Sequence, residues 1–162
     1  MKGLFILREN GCQVEPLAAH CLYKDPDAVP TIYPNYEDAF YFGRGPLMTK
    51  GVRSYYNYSI VTNHDQRFKG PQYFIKDPDR IFTPSYENGW EFAFWDFMTP
   101  KNGYPSAHEI ITGKIPIEAT TPPPTFGSTI YVLDQNSECS NNQGFETPEA
   151  IKRGEIFNWV LT

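Results

Sequence analysis

Two short acidic motifs carry the residue types best suited to hold a sugar in this chain of 162 residues. The sequence Lys-Asp-Pro-Asp occurs at residues 24–27 and again at residues 76–79. In each copy a proline-fixed bend presents two carboxylates, which can accept hydrogen bonds from sugar hydroxyls or coordinate Ca²⁺. Alternatively, Asp-Pro simply begins a turn. The candidate ligand-binding carboxylates are Asp25, Asp27, Asp77 and Asp79.

A tyrosine followed by a glutamate also recurs, in the loops Pro34–Glu37 and Pro84–Glu87. An aromatic ring beside carboxylates offers a face for the C–H patch of a sugar, so Tyr36 and Tyr86 are candidate ligand-binding residues. Each ring could instead pack within its own loop. The two glutamates could serve a glycosidase, which needs two carboxyl groups about 5–10 Å apart. Equivalent residues of a repeated unit should lie far apart, so we expect no catalytic residues and no enzyme.

These motifs belong to a longer internal repeat, which indicates how they are positioned. Residues 34–62 and 84–112 share eight identities over 29 aligned positions. A fainter third copy is visible near the C-terminus, where residues 130–134 resemble residues 72–77. A repeated supersecondary unit buries its apolar face by packing against its neighbours. We therefore predict one domain over residues 1–162, with repeats at about 1–54, 55–104 and 105–162.

Local patterns favour strands within each repeat. Trp90–Phe97 is aromatic at alternating positions, and Ser54–Val61 and Ser128–Leu133 also read as strands. The chain contains 15 prolines and 12 glycines, which argues against long helices. The fold prediction is all-β: a β-trefoil built from three repeats of about 50 residues. Its core should contain Phe42, Phe92 or Phe94, and Phe157 or Trp159.

The last third resembles one repeat of a ricin-B-like trefoil lectin, through Ile111–Ile115, Gly127–Asp134 and Phe157–Trp159. The Gln-x-Trp signature of that family is absent. The resemblance implies sugar sites just after one strand of each repeat. It places Asp25, Asp27, Asp77 and Asp79 in two of these sites. In the third repeat it adds Asp134 and Asn136 as ligand-binding residues.

Composition excludes several other classes of protein. The net charge of −5 and the lack of a basic run argue against nucleic-acid binding. No apolar run approaches the ~18 residues of a membrane span. The apolar stretch within Met1–Arg8 is too short for a signal peptide. We expect a cytoplasmic protein, or one released without a signal peptide. The three histidines match no metal-site spacing, so no metal or cofactor is expected.

The three cysteines leave two possibilities open. Cys12 and Cys21 could pair across a loop, whereas the odd count and wide spacing favour free thiols in a reducing compartment.

The leading functional hypothesis is a non-catalytic lectin that binds glycans or glycoproteins through several shallow sites, and that could also form homo-oligomers. A first alternative is a protease inhibitor acting through an exposed loop, either Lys101–Tyr104 or Thr120–Thr125. A second is a structural subunit of a larger assembly such as a virus particle, with Trp90–Phe97 as its apolar contact surface.

Overall fold

The computed structural model describes residues 8–9, 11–12, 19–23, 36, 38–65, 67–68, 70, 72–82, 87–101, 103–114, 126–133, 151 and 155. Within these ranges the regular structure is helical. The α-helices are α1 Val52–Val61, α2 Tyr73–Lys76, α3 Glu87–Met98, α4 Ala107–Thr112 and α5 Phe126–Leu133, with 3-10 turns at Ala19–Cys21 and Pro78–Phe82. The chain divides into two compact units, residues 1–96 and 97–162.

The all-β trefoil prediction is wrong, because the segments expected to be strands are helices. Ser54–Val61 lies within α1, Trp90–Phe97 within α3, and Ser128–Leu133 within α5. In the described ranges, extended pairing is limited to isolated bridges, such as the one between Arg8 and Arg44. Aromatic residues favour strands only weakly, and burial of a helical face overrides that preference.

Burial along α3 shows which periodicity governs the fold. The buried residues of α3 are Asn88, Gly89, Phe92, Ala93 and Asp96, which recur every three or four positions as on one face of a helix. Phe92 is fully buried, as expected, but Phe94 is 63% exposed. Its predicted place in the core is therefore wrong, whereas Phe157 and Trp159 lie outside the described residues.

The sequence repeat does not correspond to a repeated structural unit. Phe42 aligns with Phe92 in the repeat, yet Phe42 lies in a non-helical segment and Phe92 lies in the middle of α3. Similarly, Ile60 near the end of α1 aligns with Ile110 of α4, but Ile60 is exposed and Ile110 is buried. The wider prediction of a single domain over the whole chain stays a prediction.

An aromatic core holds the first unit together. Tyr55 and Tyr58 of α1 pack against Phe92 of α3 with ring centroids 5.0 and 4.8 Å apart. Phe74 of α2 packs on Tyr58 at 4.9 Å. Aromatic pairs at these distances add to the free energy of burial. Ser59 ties α1 to α2, because its hydroxyl accepts from the backbone N–H groups of Phe74 and Ile75.

The second unit has a smaller core, formed by Ala107, Ile110 and Val132. A capping box begins α4: the Ser106 hydroxyl accepts from the Glu109 backbone N–H, and the Glu109 carboxylate accepts from the Ser106 backbone N–H. The Ser106 hydroxyl also donates to the Glu109 carboxylate, and the two bonds that this carboxylate accepts from Ser106 hold the pKa of Glu109 below its usual value. Gly113 ends the helix in the left-handed conformation, where a residue without Cβ is favoured.

The described residues lack both a membrane-spanning helix and a cluster of metal ligands. Every helix there is too short or too polar to cross a membrane. The same residues contain no group of three histidine, cysteine, aspartate or glutamate side chains arranged to hold a metal ion.

Candidate active site

One carboxylate of the first unit is held on both of its oxygens. Glu9 Oε1 accepts from the Tyr23 hydroxyl at 2.5 Å, and Glu9 Oε2 accepts from the Gly43 backbone N–H at 2.8 Å. The Glu9 backbone N–H donates to the Gly43 carbonyl at 2.9 Å, so the residue is bound to this segment by side chain and main chain. Glu9 is only half-buried. A partly accessible carboxylate with a defined orientation is suited to react with a bound molecule.

Gly43 begins a segment, residues 43–48, that makes a tight turn at residues 45–48 and leaves little space for a side chain at its first position. A Cβ on Gly43 would lie 3.0 Å from the Met48 carbonyl oxygen and 3.3 Å from Glu9 Oε2. At Gly45, with a φ of 76°, a Cβ would lie 2.8 Å from the carbonyl oxygen of Gly89 in α3. The glycines therefore allow the turn to approach both Glu9 and α3.

Unusual backbone conformations cluster around this turn. Among the described non-glycine residues, a positive φ occurs at Tyr23 (43°) and Met48 (53°). Tyr23 donates to Glu9, and the Met48 carbonyl lies against Gly43. Left-handed conformations of non-glycine residues cost about 1–3 kcal/mol each and concentrate at functional sites. Their coincidence at Glu9 marks this region as the candidate site.

The side chain of Arg44 is only 2% exposed and holds this segment through contacts inside the protein. Its guanidinium donates to the carbonyls of Phe40 and Phe42 and to the Tyr55 hydroxyl at 2.8, 3.2 and 3.0 Å. The guanidinium carbon also lies 3.5 Å from the centre of the Phe42 ring. These contacts satisfy a buried cation by hydrogen bonding, as its removal from water requires.

Asp79 supplies the negative charge that accompanies Arg44. Its Oδ1 lies 2.9 Å from Arg44 Nε and 3.1 Å from Arg8 Nη2. The carboxylate is exposed on one side and bridges the two arginines. Because Arg44 and Arg8 adjoin Gly43 and Glu9 in sequence, Asp79 links the two segments that carry the candidate site.

A disulfide between Cys12 and Cys21 closes the loop that separates Glu9 from Tyr23. Both cysteines are fully buried and pack against Phe42. The expectation of free thiols is therefore wrong: the two residues pair, with Cα atoms 5.8 Å apart. The odd count was misleading because Cys139, which lies outside the described residues, need not share in the pairing.

Two buried tyrosines, Tyr41 and Tyr55, interact with the charge of Arg44. Burial raises the pKa of Tyr55 to about 12, although the neighbouring Arg44 opposes the shift. Burial likewise raises the pKa of Tyr41 to about 12. These phenols therefore stay neutral donors at physiological pH. The Lys50 ammonium lies 5.5 Å from the centre of the Tyr23 ring and adds a positive charge beside the candidate site.

The residues predicted to bind a sugar are not brought together in the described structure. Asp77 and Asp79 are exposed, but Asp77 pairs with Arg80 and Asp79 with the two arginines. The Tyr36 hydroxyl donates to Gln72 Oε1 at 2.5 Å. The remaining candidates, Asp25, Asp27, Tyr86, Asp134 and Asn136, lie outside the described residues. Ligand binding by all eight stays a prediction.

Sequence reasoning missed the residues that form the candidate site, namely Glu9, Tyr23, Gly43 and Arg44. The run Gly43-Arg44-Gly45-Pro46 was the available signal, since two glycines and a proline around one cation indicate a tight turn. Nothing in the sequence indicated that Glu9, 34 residues earlier, would bond to that turn.

Comparison with known proteins identifies the family. Residues 15–153 match the family model described as Chitinase class I. The chain belongs to the class I chitinase family. The matched range includes Tyr23, Gly43, Arg44 and Lys50, whereas Glu9 precedes it. The assignment of Glu9 to the site therefore rests on its contacts and not on the family match.

Individual relatives agree with this family. The chain is 33% identical over 136 residues to endochitinase WIN8 of Populus trichocarpa, covering 81% of this chain and 39% of the relative. It is 28% identical to an acidic endochitinase of Petunia hybrida and 31% identical to an endochitinase of Avena sativa. Those matches cover 68% of this chain and 42% and 53% of the relatives. The chain thus spans about half or less of the relatives' length.

Family membership overturns the functional hypotheses drawn from the sequence. The ricin-B-like resemblance is wrong, and with it the non-catalytic lectin, because the matched family is one of chitinases. The protease inhibitor and the assembly subunit are wrong for the same reason. The expectation that the protein is no enzyme is likewise contradicted. The glycosidase alternative, set aside on the assumption of trefoil symmetry, agrees with the description of the matched family.

Proposed function

We propose that this protein takes part in hydrolysing the glycosidic bonds of chitin, with Glu9 as a reacting carboxylate. Its family and its endochitinase relatives support the substrate class. The single observation that carries the proposal for this chain is the arrangement of Glu9. Both carboxylate oxygens accept hydrogen bonds, and the two donors belong to Tyr23 and to the turn that begins at Gly43.

The contacts of Glu9 favour the role of base over that of acid. A general acid needs a proton on one carboxyl oxygen and a free direction in which to donate it. At Glu9 each oxygen is instead the acceptor of a bond from the protein. Each carboxylate oxygen has further acceptor capacity, so Glu9 can also accept from a water molecule. We therefore assign Glu9 to orienting and deprotonating the attacking water.

Glycoside hydrolysis generally uses a second carboxyl group, which protonates the leaving oxygen. Asp79 contacts the same turn through Arg44, but it is held in ion pairs with Arg8 and Arg44. We assign it to bracing Arg44 and not to proton donation. Among the described residues we assign none to the role of the acid. The chain covers 39% of the length of the poplar relative.

Cleavage of a soluble chitin oligosaccharide by the purified protein tests this proposal. Glu9→Gln keeps the shape of the side chain but removes the base. Loss of general base catalysis lowers kcat by about 10²–10⁴-fold. Glu91→Gln is the matched control, since Glu91 is an exposed carboxylate that pairs with Arg67. Equal activity of Glu9→Gln and the wild type would reject the role of Glu9, and an inactive, folded wild type would reject hydrolysis by this chain.

The Cys12–Cys21 disulfide also bears on the compartment. Disulfides persist in oxidising environments and are rare in the cytosol. We propose that the protein works in an oxidising compartment, with glycans as its partners. Thiol titration of the protein isolated from its native source would test this, and two reactive thiols at Cys12 and Cys21 would contradict it.

A further inference from the structure

The Tyr23 hydroxyl donates a hydrogen bond to Glu9, and the packing of the Tyr23 ring does not depend on this bond. We propose that Tyr23 is a positioning residue, whose hydroxyl fixes the orientation of Glu9 for the hydrolysis proposed above; the inference rests on that function. The hydroxyl donates to Glu9 Oε1 at 2.5 Å, across 14 residues of sequence. With the Gly43 N–H on Oε2, this bond defines the plane of the carboxylate.

The ring and the hydroxyl of Tyr23 have separable tasks. The ring is half-buried and packs against two apolar clusters, one that contains Cys12, Cys21 and Phe42 and one that contains Tyr55 and Phe92. A phenylalanine would fill that space equally well. The hydroxyl contributes nothing to this packing and is directed at Glu9. It is thus the part of the residue that packing alone leaves unexplained.

The backbone of Tyr23 is held in a conformation that the residue would not adopt by itself. Its φ of 43° lies in the left-handed region, which is unfavourable for a residue with a Cβ. Such a conformation persists where the surrounding structure over-determines it. Here the Tyr23 carbonyl accepts from the Val52 N–H at the start of α1 at 3.3 Å. The disulfide anchors Cys21, two residues earlier, to the turn that follows Glu9.

These constraints act on both members of the pair. The Cys12 backbone N–H donates to the Glu9 carbonyl at 3.0 Å, so the cysteine that bonds Cys21 also closes the turn at Glu9. One covalent link therefore ties the segments that carry the acceptor and the donor. A reacting carboxylate must be held within a fraction of an ångström of its productive position, and residues that contact it supply this restraint.

The kinetic test compares Tyr23→Phe with the wild type on a soluble chitin oligosaccharide, at a temperature well below the Tm of both proteins. We expect kcat to fall about 10- to 100-fold with little change in KM, since small misplacements of a reacting group have effects of this size. Tyr104→Phe is the matched control, because it removes a phenolic hydroxyl that contacts only Tyr131 among the described residues. The control should retain wild-type kcat.

A spectroscopic test follows Glu9 itself, so that the result does not depend on the fraction of folded enzyme. Glutamate labelled with ¹³C at Cδ gives a resonance for Glu9, assigned by its loss in Glu9→Gln. We expect this resonance to shift in Tyr23→Phe and to stay unchanged in Tyr104→Phe.

The two tests separate this inference from the proposed function. An active wild type with an equally active Tyr23→Phe variant overturns the role of Tyr23 alone. An inactive wild type overturns the hydrolysis, and the Glu9 resonance then decides the positional claim. An unshifted resonance in Tyr23→Phe overturns that claim whichever kinetic result is found.

Discussion

Two arginines of the first unit make similar numbers of hydrogen bonds in opposite surroundings. Arg44 is 2% exposed and bonds to two backbone carbonyls, the Tyr55 hydroxyl and Asp79. Arg67 is 52% exposed, and among the described residues its side chain bonds to the carboxylates of Asp65 and Glu91. The buried network adjoins the candidate site, because Arg44 follows Gly43 in sequence. The exposed network joins the segment after α1 to α3.

The difference shows why the number of bonds is a poor guide to their contribution. When an exposed ion pair is broken, both charged groups regain comparable contacts with water. Salt also screens the attraction between them while the pair is formed. Around Arg44, in contrast, a lost donor leaves buried oxygens without water to replace it. The buried network is therefore expected to determine the stability of the turn at Gly43, and the exposed network to be dispensable.

Removing the buried guanidinium should have the largest effect on stability. Arg44→Met keeps much of the volume but leaves the Phe40 carbonyl and the Tyr55 hydroxyl without this donor. Each buried polar group left unpaired costs about 1–3 kcal/mol, so we expect the free energy of unfolding to fall by about 3 kcal/mol. Urea denaturation monitored by tryptophan fluorescence measures it. A change below ~1 kcal/mol would mean that the Arg44 network contributes no more than an exposed one.

Alkaline pH should weaken the same network through Tyr55, which bonds to Arg44. Burial raises the pKa of Tyr55 from 10.0 to about 12. The unfolded phenol therefore ionises first, so stability that is complete below pH 10 is lost as pH rises towards 12. A shift of two pKa units corresponds to about 2–3 kcal/mol.

Denaturation between pH 9 and pH 12 measures this effect, with tyrosinate absorbance followed in parallel. Tyr55→Phe is the control, because it removes the titrating group while keeping the ring in contact with Phe92. A variant with the same alkaline dependence as the wild type would assign the loss of stability to other tyrosines, such as Tyr41.

The capping box of the second unit should give an intermediate effect. Ser106 is 2% exposed, but its carboxylate partner Glu109 is only half-buried. Ser106→Ala removes the side-chain acceptor for the Glu109 N–H, and loss of such a cap costs about 1 kcal/mol. Thermal unfolding followed by circular dichroism measures it, with Ser106→Thr as control, because threonine keeps a hydroxyl that can both accept from the Glu109 N–H and donate to its carboxylate. An alanine variant as stable as the threonine variant would contradict a capping role.

The sequence was sufficient to predict which side chains are buried at some positions but not the elements that carry them. Phe42 and Phe92 were assigned to the core, and both are fully buried. Their secondary structure was missed because Trp90–Phe97 has aromatic residues at positions that suit both a strand and a helix. The alternation of Trp90, Phe92 and Phe94 fits a strand, whereas the buried pair Phe92 and Asp96 follows a helix.

The candidate site was beyond sequence reasoning for a different physical reason. Glu9, Tyr23 and Gly43 are brought together by a disulfide, a left-handed residue and a buried arginine, and each of these depends on tertiary packing. No local pattern encodes a bond across 34 residues. The repeated acidic motifs attracted attention because they recur, yet Asp77 pairs with Arg80 and Asp79 with Arg44, and the repeat has no arginine at either equivalent position.

The smallest effect is expected where the hydrogen bonds are most numerous. The side-chain and backbone N–H groups of Arg67 donate to the Asp65 carboxylate. These bonds favour its ionised form and hold the pKa of Asp65 below its usual value. Water replaces those donors when they are removed, because Arg67 and Glu91 are both exposed. Arg67→Ala should therefore leave the Tm unchanged within experimental error, at low salt and in 0.5 M NaCl alike. A loss of stability comparable to that of Arg44→Met would overturn the comparison, since burial would then no longer distinguish the two networks.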